Sequence, residues 1–151
     1  MTTSIRAANT GDLETLVALM RDFYREDADP FVENDSRAAF ARLLAEPSWG
    51  RVWVAQHETT VIGYVVLTFG FSMEFHGRDA FIDDLYVVPS HRGHGSGNGL
   101  IAACEAACKE LGIRALHLEV RPSNPAASLY QRLGFRDHEH HLMTKRLHSE
   151  T

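Results

Sequence analysis

The segment Arg92-Gly93-His94-Gly95-Ser96-Gly97 separates a strand-like run, residues 81–88, from a helix-like run, residues 100–111. Glycines at positions 93, 95, 97 and 99 remove every second Cβ atom, so successive backbone N–H groups can turn inward and approach an anion closely. The N-terminus of the following helix adds its dipole, and Arg92 adds a full positive charge. The segment therefore predicts a phosphate-binding loop. The alternative is an ordinary strand-to-helix turn in which the glycines only permit tight packing.

Two better-known phosphate loops do not fit this spacing. The dinucleotide fingerprint requires Gly where the chain has Asn98 or Leu100, and the Walker pattern requires a Lys that the segment lacks. The pattern that is present is R-x-x-G-x-G, and it follows directly on Val87-Val88-Pro89. A phosphate-binding loop of a different kind is therefore indicated.

Length and composition favour a single compact domain spanning residues 1–151. A chain of 151 residues with 44% hydrophobic residues can bury one sizeable core and has no room for two. The net charge of -5, with no basic run, argues against a nucleic-acid partner. Residues 1–10 lack the apolar core of a signal peptide, and the longest apolar stretch, residues 61–71, is too short to cross a bilayer. We therefore expect a cytoplasmic protein that does not bind membranes.

The hydrophobic pattern predicts strands that alternate with helices. Strands are expected at residues 4–8, 51–55, 61–69, 81–88 and 115–120, with one or two more within residues 136–147. Helices are expected from Leu13 to Arg25, from Ser36 to Pro47, over residues 100–111, and after a cap at Ser123 or Asn124. Loops are expected at residues 26–35 and 70–78. The fold class is therefore α/β, with a mixed, mostly antiparallel central sheet flanked by about four helices.

Two cysteines lie four residues apart on the predicted helix of residues 100–111. At this spacing a disulfide between Cys104 and Cys108 is geometrically poor. Small buried residues are the usual finding at such positions. We interpret both as thiols of the hydrophobic core.

Two motifs resemble those of the GCN5-related N-acetyltransferases. The R-x-x-G-x-G segment after Val87-Val88-Pro89 resembles the pyrophosphate loop of that family, and residues 124–135, NPAASLYQRLGF, resemble its second signature. The resemblance covers essentially the whole chain, from Ile5 to Leu147. Residues 81–87, FIDDLYV, are similar to the subgroup that includes spermidine/spermine and thialysine acetyltransferases. The resemblance implies the acyl-CoA N-acyltransferase fold, acetyl-CoA as co-substrate, and a homodimer.

The resemblance also implies where acetyl-CoA binds. The backbone groups of Leu85 and Val87 would pair with the pantetheine arm. The pyrophosphate would lie on Arg92, Gly93, His94, Gly95, Ser96 and Gly97, with Asn124 as a further contact. The chain departs from the family at two of these positions. Asn124 is one residue closer to Tyr130 than the Asn of many members, because Ser123 has that place, and Ser96 replaces a branched apolar residue.

Acetyl transfer to an amine requires a base and an acid. The amine must lose a proton before it attacks the thioester, and the departing thiolate benefits from a proton donor. By resemblance, Tyr130 faces the CoA sulfur and can donate that proton. The alternative is that Tyr130 is only part of the apolar stripe of its helix.

Asp83 and Asp84 are the candidate bases. They interrupt an apolar strand, and alternation along a strand predicts that their side chains point to opposite faces. By resemblance to the polyamine-acetylating relatives, Asp83 has the place of the catalytic carboxylate and Asp84 that of a second acid that binds the acceptor. A bridging water can compensate for the short Asp side chain. The alternative is that one or both simply end the buried part of the strand.

The acceptor is expected to be a small cationic amine. Acidic residues cluster between the first two predicted helices, where they can attract such a molecule: Glu26, Asp27, Asp29, Glu33 and Asp35. A solvated charged surface is the alternative interpretation.

No metal site is expected. Of the nine histidines, His138, His140 and His141 lie close together, but their spacing does not match that of known zinc motifs. His91 and His94 can contact the phosphate or ribose of CoA.

Two functions of different classes fit the sequence. The first is an acetyl-CoA-dependent amine N-acetyltransferase, acting on a small molecule or on a lysine or N-terminus of a protein. The second is an acyl-CoA-binding module that has lost catalysis. The presence of Tyr130 and two strand carboxylates favours the enzyme.

Overall fold

The computed structural model describes residues 3–121 and 124–148, and the predicted cap Ser123 lies outside them. The chain divides into two compact units, Met1–Glu119 and Val120–Thr151, which are described separately. The strands of the first unit are β1 Thr3–Ala7, β2 Gly50–His57, β3 Thr60–Ser72, β4 Gly77–Val87 and β5 Ala115–Leu118. Its helices are α1 Leu13–Glu26, α2 Glu33–Ala45 and α3 Ser96–Glu110. The second unit contains α4, Ala127–Arg132.

The strands of the first unit form one sheet in the order β1-β2-β3-β4-β5. Consecutive strands from β1 to β4 pair antiparallel, whereas β5 pairs parallel with β4 because α3 connects them as a crossover. The prediction of a mixed, mostly antiparallel sheet is confirmed. In the described part of the chain no helix is both long and apolar enough to cross a membrane.

The two faces of the sheet are covered by different helices. One hydrophobic cluster joins α1 and α2 to alternate residues of the strands, among them Val54, Tyr64 and Val66. The residues between them, such as Val65, point to the other face, where α3 packs. Cys104 and Cys108 of α3 are buried free thiols, which confirms their interpretation as core residues.

The start of α1 is fixed by polar contacts within a short 3₁₀ turn. The Asn9 side chain accepts a hydrogen bond from the Gly11 N–H at 2.9 Å, and the Asn9 N–H donates to Asp12 at 2.8 Å. Both oxygens of Asp12 also accept hydrogen bonds from Arg6 of β1 at 2.9 Å. These contacts satisfy the free donors of the turn and attach α1 to the edge of the sheet.

The backbones of β3 and β4 lie close together at the end of β4, and this close approach requires a glycine. Gly63 on β3 lies opposite Val87, and a Cβ atom added to it would lie 2.6 Å from the backbone oxygen of Tyr86. Any larger residue would therefore push the two strands apart.

Three predicted boundaries differ from the structure. Helix α2 begins at Glu33 and not at Ser36, and its acidic first turn is favourable at the positive end of the helix dipole. Helix α3 begins at Ser96 and not at position 100, so the end of the glycine segment is its first turn. Most of the predicted loop at residues 70–78 is strand, because the ladder between β3 and β4 continues to the Ser72–Gly77 pair.

The predicted final strands at residues 136–147 are absent from the described chain. A strand needs a neighbour that satisfies its backbone groups, and the described residues of this segment pair with none. The apolar side chains of this segment, Leu142, Met143 and Leu147, are exposed. Helix α4 itself is confirmed, although it is only six residues long.

Candidate active site

Strand β4 contains an extra residue where the two candidate carboxylates lie. In the pairing with β3, Val66 lies opposite Asp84 and Leu67 lies opposite Ile82, so Asp83 has no partner on β3. This is a β-bulge, a feature that bends a strand and redirects its side chains.

The bulge places both carboxylates on the same face of the sheet. The residues that flank it, Ile82 and Leu85, both lie opposite β3 residues that face α3. Since paired residues share a face, Asp83 and Asp84 lie together on the other face, with α1 and α2. The expectation that they point to opposite faces is wrong, because simple alternation does not account for an inserted residue.

Asp84 is a buried carboxylate bound by two tyrosines. Only 8% of the residue is exposed. The hydroxyl of Tyr64 donates to Oδ2 at 2.9 Å, and that of Tyr24 donates to Oδ1 at 3.1 Å. Burial, together with the charge of Asp83, raises the pKa of Asp84 to about 7, although the two hydrogen bonds act in the opposite direction. Asp84 therefore changes its charge near neutral pH.

Asp83 is the more accessible of the two. Its side chain is exposed, yet the protein atoms around it reduce its hydration and raise the pKa of its carboxyl above the ordinary value. A carboxylate with a raised pKa binds a proton more readily than a free one, and this one can be reached from solvent. It can therefore serve as a proton acceptor.

Beyond the bulge, no described strand pairs with β4 on the side of β5. The parallel ladder with β5 ends at the Ile82–Leu118 pair, whereas β4 continues to Val87. On the other side, the Val88 N–H donates to the Ile62 oxygen at 2.9 Å. Because bonded and non-bonded pairs alternate in an antiparallel ladder, Leu85 and Val87 turn their N–H and C=O groups away from β3. These backbone groups face the side of β5, as pairing with an extended ligand requires.

The glycine segment forms the N-terminus of α3. Gly93 and Gly95 have φ angles of 82° and 87°, a region that favours glycine, and Gly95 is the N-cap. The first hydrogen bond within the helix is from the Gly99 N–H to the Gly95 oxygen, so the preceding N–H groups of the helix end have no partner in the helix. A Cβ atom at Gly97 would have no non-neighbouring described atom within 4 Å. This helix end is therefore open to an anion.

Ser96 lies underneath this helix end. The residue is 5% exposed, and its Oγ has no hydrogen-bond partner within the described chain. His94 is exposed in the loop. Neither side chain stabilises the loop through a described hydrogen bond, so its shape depends on the glycines and on the residue that precedes them.

That residue is Arg92, which attaches the loop to the core. Its Nε donates to the Val87 oxygen at 2.8 Å, and its terminal nitrogens lie 2.9 and 3.0 Å from the Glu26 carboxylate. The guanidinium also lies 5.5 Å from the centre of the Tyr86 ring. The structure thus places its charge against a carboxylate at the end of α1.

The predicted acidic cluster is partly neutralised. Besides Glu26, Glu33 is paired, with Arg21 at 2.6 Å and with Arg37 at 3.3 Å. The charge of Asp29 contributes to the raised pKa values of both Tyr24 and Asp84. Asp29 therefore belongs to the same electrostatic environment as the bulge carboxylates.

The second unit holds the remaining candidates. Tyr130 lies on α4, its ring packs edge-on against Phe135 at 6.2 Å, and burial raises the pKa of its phenol. It therefore keeps its proton at neutral pH and can donate it. The Asn124 side chain accepts a hydrogen bond from the Ala126 N–H at 2.8 Å, so Asn124 holds the turn before α4.

Comparison with known proteins decides the family. Residues 16–135 match the acetyltransferase (GNAT) family, and this range covers more than half of the chain. The chain belongs to the GNAT family. This confirms the expected enzyme class, an N-acetyltransferase, and the expected fold. As a GNAT acetyltransferase, the enzyme uses acetyl-CoA as its acetyl donor.

Several proteins resemble this GNAT acetyltransferase along most of their length. A putative ribosomal protein bS18-alanine N-acetyltransferase of Bacillus subtilis (strain 168) is 30% identical over 112 residues, covering 74% of this chain and 70% of the relative. A thialysine N-epsilon-acetyltransferase of Bos taurus is 29% identical over 144 residues, covering 88% and 84%. The crystal structure of an integron cassette protein from the mobile metagenome of Cole Harbour Salt Marsh has a TM-score of 0.87 and 36% identity, covering 97% and 91%.

Sequence reasoning missed the partners of the site residues of this acetyltransferase. Tyr24 and Tyr64 were visible only as apolar-pattern residues, although a buried tyrosine hydroxyl generally requires a hydrogen-bond partner. Their contacts with Asp84 join residues that are far apart in the sequence, so no motif spacing predicts them. Among the described residues, no group of three or more metal-binding side chains comes together.

Proposed function

We propose that this enzyme transfers the acetyl group of acetyl-CoA to a primary amine of a small, cationic acceptor, by direct transfer in a ternary complex. One observation carries the proposal. The β4 bulge sets Asp83 and Asp84 side by side on one face, at the point where β4 and β5 separate.

The electrostatics of this region favour an acceptor with a positive charge. Asp83 and Asp29 both contribute to the raised pKa of Asp84, so three carboxyl groups act on one small volume. Such a volume attracts a cation and disfavours an anion. The relative named thialysine N-epsilon-acetyltransferase acts, by its name, on an amine of a small molecule, and this supports the same class of acceptor.

Asp83 is the proposed base. Its exposed carboxylate accepts the proton of the acceptor's ammonium group, directly or through a water, and so produces the neutral amine that can attack. Asp84 is the proposed second acid, which binds the acceptor electrostatically while Tyr24 and Tyr64 hold it in place.

Tyr130 is the proposed acid. A phenol whose pKa is raised stays protonated over the neutral range. It gives its proton to the sulfur as the C–S bond breaks, and the second proton, which the attacking nitrogen loses as the amide forms, passes through water to restore the phenol. When bound, acetyl-CoA supplies the thioester from which the acetyl group is taken.

The residues of the chain fit acetyl-CoA as a co-substrate. The open helix end at Gly95 and Gly97 offers unpaired N–H groups for the pyrophosphate, with Gly93, His94 and Ser96 completing the loop. The outward N–H and C=O groups of Leu85 and the outward N–H of Val87 fit the pantetheine arm, whereas the Val87 oxygen already accepts a hydrogen bond from Arg92. We propose that Arg92 acts chiefly by holding the loop, since its charge faces Glu26. Asn124 fixes the turn before α4.

A protein acceptor is the second candidate. The relative named as a ribosomal protein bS18-alanine N-acetyltransferase acts, by its name, on an alanine of a ribosomal protein. A protein N-terminus is also a primary amine, so the same base and acid would serve.

The test is a thiol-release assay with acetyl-CoA against polyamines, amino acids, aminoglycosides and peptides with a free N-terminus or lysine, with calorimetric binding of acetyl-CoA alongside. Turnover on small cationic amines supports the proposal. Turnover confined to peptides supports the second candidate, and binding without turnover on any amine indicates a module that has lost catalysis.

We also propose a single functional domain and a homodimer. The matched range, residues 16–135, extends across both units and supports their action as one domain over residues 1–151. The resemblance to the family supports a homodimer, which sedimentation velocity would measure directly.

A further inference from the structure

A second pair of titratable residues lies on the same face of the sheet as the bulge carboxylates. Nε2 of His117 on β5 is 3.0 Å from Oδ2 of Asp79 on β4. The Asp79 side chain is 11% exposed and that of His117 is 20% exposed, so the imidazole is the member of the pair that a ligand can reach. A Cβ atom on Gly70 would lie 2.8 Å from Asp79 Oδ1, so the backbone of β3 also closes over the carboxylate.

The register of the strands places this pair next to the proposed site of transfer. His117 is paired with Phe81, which is two residues before Asp83 on β4 and one residue before the last β4–β5 pair. Two residues along a strand and one strand across put the Cα atoms of His117 and Asp83 about 8 Å apart. A molecule a few carbons long can therefore contact both side chains at once.

Aromatic rings border the imidazole. The centre of the Phe81 ring lies 4.7 Å from that of His117, and the centre of the Phe75 ring lies 5.6 Å from it. Phe81 is 40% exposed. The space between His117 and the bulge is therefore lined by an apolar surface on which a hydrocarbon chain can pack.

The hydrogen bond to Asp79 determines which kind of ligand group the His117 imidazole favours. A carboxylate only accepts, so Nε2 of His117 carries the hydrogen, and in the neutral ring Nδ1 is left as an acceptor. The negative charge of Asp79 behind the ring favours a cation in front of it and disfavours an anion. An ammonium group supplies both the N–H donor and the positive charge.

We propose that Asp79, His117 and Phe81 form a distal subsite that binds a second ammonium group of the acceptor, an inference that rests on the proposed function. His117 accepts a hydrogen bond from that ammonium, Asp79 orients the imidazole, and Phe81 packs against the carbon chain. The acceptor class is then a short diamine, in which one nitrogen is acetylated beside Asp83 while the other is held at His117.

The test compares acceptors that share one chain and differ only at the far end. Diaminobutane, butylamine and 4-aminobutanoate present an ammonium, a methyl and a carboxylate there, and diaminopropane and diaminopentane vary the length. With the wild type, kcat/KM is expected to be highest for a diamine and lowest for 4-aminobutanoate. His117→Leu should lower kcat/KM for the diamine by about tenfold or more, the usual effect of losing a hydrogen bond to a charged group, and leave butylamine unchanged.

Two further variants separate recognition from misfolding. His117→Gln can still donate to Asp79 and offer an acceptor, so it should restore part of the preference for the diamine. Asp79→Asn should reduce the discrimination against 4-aminobutanoate, because the repelling charge is gone. Acetyl-CoA affinity should stay at its wild-type value in all three variants. The unfolding midpoint should fall in His117→Leu, because the buried Asp79 carboxylate loses its partner, but each variant should keep a cooperative unfolding transition.

The outcomes distinguish this inference from the proposed function. Turnover of amines with no preference for diamines, or equal losses on diaminobutane and butylamine in His117→Leu, overturns the distal subsite and leaves the proposed function intact. Acetyl-CoA binding by the wild type with no turnover on any small amine overturns both.

Discussion

Replacing Asp84 by Asn should stabilise the enzyme more at pH 8 than at pH 4. Burial raises the pKa of Asp84 from 3.8 to about 7. The folded state therefore holds the proton more tightly than the unfolded state, and its stability falls as the pH rises from about 4 to about 7. At about 1.4 kcal/mol per pKa unit over roughly three units, the ionised carboxylate costs the fold about 4 kcal/mol above pH 7. Asn does not titrate, so the variant escapes this cost.

The measurement is urea unfolding of the wild type and Asp84→Asn at several values between pH 4 and pH 8, with equal m-values as the condition for comparison. Asn changes the hydrogen bonds with Tyr24 and Tyr64, and this alters the free energy of unfolding at every pH. The pH dependence of the difference in unfolding free energy between the two proteins therefore reports the titration of Asp84 alone. It should favour the variant by about 4 kcal/mol more at pH 8 than at pH 4.

Asp12→Asn is the matched control. The hydrogen bonds from Arg6 lower the pKa of the buried Asp12, so its stabilising contribution is present above the unfolded pKa and is lost only as the pH falls through the lower, folded value. The difference between wild type and Asp12→Asn should therefore be nearly flat from pH 5 to pH 8 and shrink in more acidic solution. A flat difference for Asp84→Asn over the range from pH 4 to pH 8 would refute the assignment of a strongly raised pKa to Asp84.

Three further predictions concern activity. Tyr130→Phe should lower kcat by about a hundredfold or more, since a general acid is lost, and change the acetyl-CoA dissociation constant less than twofold; equal kcat would exclude the acid role. Asp83→Asn should lower kcat/KM and move the titration of Asp84 to lower pH, because the charge of Asp83 helps to raise that pKa; an unchanged pH–rate profile would transfer the base role to Asp84 or water. Gly97→Ala should keep or raise stability, by up to about 1 kcal/mol for a helix position, because alanine favours a helix more than glycine does. The same change should weaken acetyl-CoA binding about tenfold, as measured by isothermal calorimetry. Unweakened binding would place the phosphates elsewhere.

The sequence predicted those features that depend on local pattern. The order of strands and helices, the helix from Leu13, and the buried thiols of Cys104 and Cys108 follow from periodicity and capping. The glycine segment is recognisable because the positive φ angles at Gly93 and Gly95 favour glycine strongly, and a turn of this kind therefore leaves glycines in the sequence. These patterns depend only on residues that are close together in the chain, so they can be recognised before the fold is known.

What the sequence could not predict involves partners far apart in the chain. The bulge at Asp83 is a property of two strands in register, and no residue type marks it. Gly70 lies in the predicted loop of residues 70–78, whereas in the structure it is a strand residue that makes room for Asp79 across the ladder. The pairing of the Arg92 guanidinium with Glu26, which is 66 residues away in the chain, also has no local signal.

The cost of Asp84 is itself an argument for function. A carboxylate at a position that is 8% exposed, beside another carboxylate, destabilises the fold at neutral pH. An asparagine would fit the same space and could still accept a hydrogen bond from a tyrosine without that cost. If Asp84 served only packing, the uncharged residue would be the more stable choice.

Strained or destabilising groups persist where the surrounding structure fixes them and the activity needs them. Tyr24 and Tyr64, held by α1 and β3, fix Asp84 here. This supports the proposed role of Asp84 in binding the acceptor, and the proposed distal pair at Asp79 and His117 lies on the same face further along β4.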